Sequence, residues 1–98
     1  MVQTVLVTGG SRGIGYATAE LFAARGWNVA LCSRKESDAK QAAEKIIAAT
    51  GNKNILGLRA DIGSAADIEA MFKHIDNRFH TLDALVNNAG IIHLGNVS

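Results

Sequence analysis

Val5-Leu6-Val7-Thr8-Gly9-Gly10-Ser11-Arg12-Gly13-Ile14-Gly15 decides the fold, because an apolar run, a glycine-rich turn and the start of an amphipathic segment follow one another without interruption. A strand that turns sharply into its own crossover helix needs a residue at ease with positive φ, and Gly9 or Gly10 suits that turn. Gly13 has no Cβ to hold the main chain away from an anion, and the amides of Gly13 to Gly15 lie at the positive end of the helix dipole. Gly15 then lets the helix lie close on the strand. Strand, turn and helix in this order form a cradle for the pyrophosphate of a dinucleotide, whereas a merely flexible turn has no need of the flanking elements.

Outward from this stretch the hydrophobic period switches repeatedly. Short apolar runs bounded by turn or cap residues predict strands at 4–8, 28–33, 55–60 and 84–87. Three amphipathic helices lie between them. The first carries Ile14, Thr18, Leu21, Phe22 and Arg25 and stops at Gly26, the usual residue for a left-handed cap. The second runs over 37–50, placing Ala39, Ala42, Ala43, Ile46 and Ile47 on one face before Gly51 closes it. The third opens at Ser64 with Asp67 three residues on, a capping box with the shorter acid, and its stripe is Ile68, Met71, Phe72, Ile75 and Phe79.

Strand-helix alternation with short connections implies βαβ units and a parallel sheet. The fold class is therefore α/β: a Rossmann-type doubly wound parallel sheet in truncated form, with strand order 3-2-1-4, two helices on one face and the third on the other. One helix must then shield a face meant for more, and the fourth strand keeps an unpaired outer edge. Apolar surface stays uncovered, so the isolated chain is expected to self-associate or behave as a loosely packed state. A length of 98 residues with 48% apolar and 19% charged side chains suits part of one globular domain. The formal charge of +1 carries no footprint for nucleic acid or an anionic membrane, and no apolar run approaches transmembrane length. Cys32 is the only cysteine, which excludes an internal disulfide. The first residues lack the basic start and apolar core of a signal peptide, so a cytoplasmic protein is expected.

Three motifs at the ends of successive strands together carry a family resemblance. Thr8-Gly9 with Gly13 and Gly15, Asp61-Ile62 after the third strand, and Asn87-Asn88-Ala89-Gly90 after the fourth are similar to the pattern of classical short-chain dehydrogenases/reductases. The resemblance runs along the whole chain and implies that residues 1–98 are the N-terminal portion of a single NAD(P)-binding Rossmann domain. It implies that Gly9, Ser11, Arg12, Gly13, Ile14 and Gly15 line the phosphate and ribose end of the cofactor. Asp61 then accepts from the adenine amine with Ile62 against the ring, and Asn87, Ala89 and Gly90 form the floor beneath the adenine-side ribose. By their residue types alone, Asp61 can equally cap a loop, and Asn87 to Gly90 can equally form a turn. The resembled enzymes act on small carbonyl or alcohol substrates as dimers or tetramers, so a homo-oligomeric oxidoreductase is the implied parent.

Cofactor choice rests on the end of the second strand. Dinucleotide enzymes using NAD place an acid about 20 residues after the glycine motif to accept the ribose hydroxyls; here stand Ser33 and Arg34. No carboxylate repels the extra phosphate of NADP, and Arg34 with Arg12 can bracket it, each charge-assisted bond contributing roughly 1.5–3 kcal/mol. NADP is the expected cofactor.

No catalytic residue is expected within these residues. The resembled family uses a Tyr, a Lys four residues later and a Ser, all beyond the Asn-Asn-Ala-Gly motif. Tyr16 is the only tyrosine, and four residues after it stands Glu20, an acid that raises a phenol's pKa. The chain alone is therefore expected to be inactive, lacking acid-base catalysis worth roughly 10²–10⁴-fold. His74 and His80 show no metal-ligand spacing and read as surface residues, His93 as a loop residue on the ligand side, and Cys32 as a small buried hydrophobe. No metal is expected. The competing readings are a non-catalytic nucleotide-binding or dimerisation module, and a methyltransferase using adenosylmethionine, against which the missing acid after the second strand argues.

Overall fold

The computed structural model describes residues 2–88. Within them β1 (Thr4–Thr8), α1 (Gly13–Ala24), β2 (Asn28–Ser33), α2 (Glu36–Thr50), β3 (Ile55–Arg59), α3 (Ala65–Phe79) and β4 (Ala84–Asn87) alternate strictly. The four strands form one parallel sheet in the order β3-β2-β1-β4, as the alternation predicts. Two boundaries shift by one residue: α2 starts at Glu36, and β3 ends at Arg59, with the Ala60 amide still donating to the Ser33 carbonyl at 2.9 Å.

β1 is buried at every position because it has a strand on each side and helices on both faces. Its alternating side chains divide the core. Val5 and Val7 join Val29, Leu31 and Ile55 beneath α1 and α2, whereas Leu6 joins Ala30 and Cys32 beneath α3. The two buried threonines of β1 work at its ends. The Thr4 amide donates to Asp83 Oδ2 at 2.8 Å and its hydroxyl oxygen accepts from Asn28 Nδ2 at 3.2 Å, tying the strand to both neighbours.

α1 seats itself differently from its sequence pattern. It packs through Gly15, Ala19 and Ala23, spaced by four, while Ile14 and Leu21 are 77% and 53% exposed. Small side chains at the contact let the helix approach the sheet closely, Tyr16 and Phe22 pack half-buried at its flanks, and Ile14 and Leu21 turn outward. The helix ends as expected. Gly26, at φ 85°, donates to the Ala23 carbonyl at 3.0 Å and Trp27 donates to Phe22 at 3.1 Å, a Schellman cap closed by an edge-to-face contact of the Phe22 and Trp27 rings at 4.8 Å. α2 buries Ala39, Ala42, Ala43 and Ile46, the face read from its sequence.

α3 corrects the expected stripe. Met71, Ile75 and Phe79 are buried, but Phe72 is 42% exposed. α3 is the one helix on its face among the described residues, so nothing receives the flank that Phe72 presents. The same imbalance leaves Leu85 of β4, the neighbour of Leu6, 39% exposed.

Candidate functional site

The turn after β1 resolves the roles of its glycines. Gly9 takes the positive φ, 64°, whereas Gly10 is small for a steric reason: a Cβ there would stand 2.8 Å from Leu31 Cβ and 3.2 Å from the Val7 carbonyl. Gly15 permits the closest approach. A Cβ on it would overlap the Gly9 carbonyl oxygen and lie 2.9 Å from the Gly9 carbonyl carbon, so the helix rests on the turn itself. Arg12 is the N-cap in extended conformation without a side-chain cap bond, and Tyr16 is the first residue whose amide reaches back, to the Arg12 carbonyl at 3.2 Å. The amides of Gly13, Ile14 and Gly15 precede that bond, as orphan donors do at a helix start.

A cleft of about 740 Å³ opens at the C-terminal ends of β1, β2 and β3. It brings together Gly9, Ser11, Arg12, Ser33, Arg34, Asp61 and Ile62, all expected from the sequence, and adds Lys35 and Asp38. The other expected residues lie around it. Gly13 lines a second cavity of about 450 Å³ with Tyr16, Gln41 and Lys45. Ile14 is exposed on the first turn of α1 and Gly15 is buried. Asn87 ends β4 on the opposite side of β1 from the cleft. Ala89, Gly90 and His93 lie outside the described residues.

Electrostatically the cleft is cationic on its β2 side. Arg34 and Lys35 are exposed and have no ion-pair partner among the described residues, and Ser33 supplies no charge where a carboxylate would repel a phosphate. Ser33 Oγ instead accepts the Lys35 amide at 3.3 Å and shapes the turn into α2. Arg12 is engaged, its guanidinium 3.6 Å from Asp38 Oδ2.

Asp61 caps its loop and also lines the cleft. Its Oδ1 accepts the Gly63 amide at 2.9 Å. Asp67 holds this loop in place. Its Oδ2 accepts the Asp61 amide at 3.0 Å and Arg59 at 2.7 Å, so the expected capping box is half-made: Ser64 Oγ accepts the Asp67 amide at 3.2 Å, but the acid reaches Asp61 and not the Ser64 amide. Lys35 and Asp38 were missed because only the packing of the start of α2 brings them to the cleft, and Asp67 because it acts on the cleft-lining loop only through the Asp61 amide. Thr8 was missed in the same way. Its buried hydroxyl donates to Asn87 Oδ1 at 2.7 Å and accepts the Asn88 amide at 3.1 Å, so the ends of β1 and β4 are locked together.

Cys32 lies at the floor of the cleft, 1% exposed. Burial pushes its thiol pKa up, against a smaller lowering by a hydrogen bond from the Gly9 backbone, so it stays a protonated, weakly nucleophilic group at neutral pH. Tyr16 is half-buried against the core under α1 and α2, a packing role. Among the described residues no helix is long and apolar enough to cross a membrane.

Comparison with known proteins converges on one family. The short chain dehydrogenase family pattern matches residues 3–98. The chain is 40% identical over 90 residues to a short chain dehydrogenase/reductase, dpmpG, of Macrophomina phaseolina, covering 92% of this chain and 51% of that protein. It is 47% identical over 87 residues to the oxidoreductase YgfF of Escherichia coli, covering 89% and 35%. The structure superimposes with a TM-score of 0.85 and 31% identity on L-sorbose reductase from Gluconobacter frateurii, solved with NADPH and L-sorbose, over 92% of this chain and 34% of that one. The chain thus spans between about a third and a half of the length of these relatives.

Proposed function

This chain belongs to the short-chain dehydrogenase/reductase family, and from that premise we propose that it is the NADP-binding portion of an oxidoreductase that moves a hydride between NADP(H) and a carbonyl or alcohol substrate. The bound nicotinamide supplies the hydride chemistry; the residues present here bind and orient. The observation that carries the reading is the charge pattern at the end of β2, where Ser33 replaces an acid and Arg34 and Lys35 stand unpaired beside the cleft. The amides at the start of α1 and the small Gly9 and Gly13 offer a cradle for the diphosphate. Asp61 Oδ2, without a partner among the described residues, is free to accept from the adenine amine while Oδ1 keeps the loop closed.

NADPH-bound L-sorbose reductase supports the cofactor class. Residues 1–98 hold no tyrosine with a lysine four positions on, since Tyr16 is followed at that spacing by Glu20. The acid-base step therefore falls outside these residues, and the chain by itself is proposed to bind without turnover. Titration with NADPH and NADH tests the reading. We expect at least a tenfold preference for NADPH, about 1.4 kcal/mol, that is lost in Arg34→Asp. Equal affinities in the parent chain defeat it.

A further inference from the structure

We infer that Asp38 sets the strength of the preference for the phosphorylated dinucleotide by competing with the extra phosphate for Arg12. The inference rests on the NADP reading above and asks what limits it. Two observations point to Asp38. Its carboxylate is 3.6 Å from the Arg12 guanidinium, and the Asp38 side chain is 30% exposed while that of Arg12 is 83% exposed. The more exposed partner of the pair is thus the arginine, and the carboxylate is carried by the first turn of α2. The same two residues, with Ser11, line both the 740 Å³ cleft and the 450 Å³ cavity beside it. The ion pair is therefore the partition between them, at the rim where Arg12 must turn if it is to meet a phosphate beside Arg34.

The charges facing this spot make the competition specific. Arg12, Arg34 and Lys35 contribute three positive charges to the cleft lining, and Asp38 and Asp61 two negative ones. A 2′-phosphate near Arg34 carries nearly two negative charges to a wall whose second arginine, Arg12, already has an acid beside it. Removing the Asp38 charge frees Arg12 and lifts a like-charge repulsion in one step. A dinucleotide without the extra phosphate has no use for Arg12 at this rim, so its affinity is unaffected by the same change.

The test uses this chain and its Asp38→Asn variant, with adenosine 2′,5′-bisphosphate and 5′-AMP as probes that differ only in the relevant phosphate. We expect Asp38→Asn to tighten the bisphosphate roughly fivefold at low salt, the scale of one solvent-screened unit charge at contact distance, with 5′-AMP changed less than twofold. The gain should shrink towards nothing in about 1 M salt, where the Debye length falls to about 3 Å. A structural role for Asp38 at the start of α2 would move both probes together and survive salt. Unchanged or weakened bisphosphate binding in the variant overturns the inference and makes Asp38 an orienting partner of Arg12. A parent chain that binds both probes equally defeats the cofactor reading instead, and Asp38 is then judged by whether Asp38→Asn creates a preference.

Discussion

At Gly15 the architecture leaves no room for a single carbon. The would-be Cβ falls on the Gly9 carbonyl, and Gly9 itself is held at φ 64°, so the turn can yield only by leaving the conformation that makes it a turn. Gly15→Ala is therefore expected to lower stability by about 1–3 kcal/mol, the scale of overpacking in a fixed interior, and to weaken NADPH binding with it. Urea denaturation followed by circular dichroism checks the first effect, and a parental midpoint would show that the contact relaxes cheaply. The need for small residues in this loop was legible from Gly9, Gly10, Gly13 and Gly15 as written. Which glycine served backbone freedom and which served steric room was not, because Gly10 answers to Leu31, a residue on the next strand.

Helix ends show the same division at the scale of the element. α1 ends on Gly26, and its Schellman cap could be read directly from the Gly after the last periodic residue. α3 has no such residue. His80 takes the left-handed position at φ 66°, donating its amide to the Asp76 carbonyl at 2.8 Å, and a side chain there costs about 1–2 kcal/mol. His80 is exposed, so His80→Gly removes strain without removing packing. We expect a gain of about 0.5–1 kcal/mol after the greater unfolded-state freedom of glycine is allowed for. A thermal midpoint at or below that of the parent would count against this account of the cap. The apolar faces of α2 and α3 were largely visible in their periods, but α1 misled in part, since its fully buried residues are its smallest, with Phe22 half-buried and Ile14 and Leu21 exposed.

For the molecule as a whole, the two faces of the sheet are unequally covered. α1 and α2 shelter Val5, Val7, Val29 and Leu31 completely, while on the face that α3 alone covers among the described residues Phe72 is 42% exposed and Leu85, on β4 at the end of the strand order, is 39% exposed. Exposed apolar side chains, Leu85 among them on an edge strand, favour association. Light scattering of the chain is expected to show a mass that rises with concentration, together with binding of a hydrophobic dye. A monomer at all concentrations that melts sharply and excludes the dye would overturn this expectation. Leu85→Lys should shift the distribution towards monomer, since it places a charge on the uncovered face and leaves the α1 side untouched.

By itself the amino-acid sequence determined the alternation of strands and helices, the glycine turn and the lack of an acid at the end of β2, since each follows from backbone freedom, a period of a few residues or residue identity at one position. Only the tertiary structure decided that Thr8 locks to Asn87, 79 positions away, that Arg12 spends its charge on Asp38, and that Asp67 steadies Asp61. The reason is geometric. Local pattern says which face of an element is apolar, but the partner of a polar side chain depends on where parallel pairing and helix packing bring distant segments together.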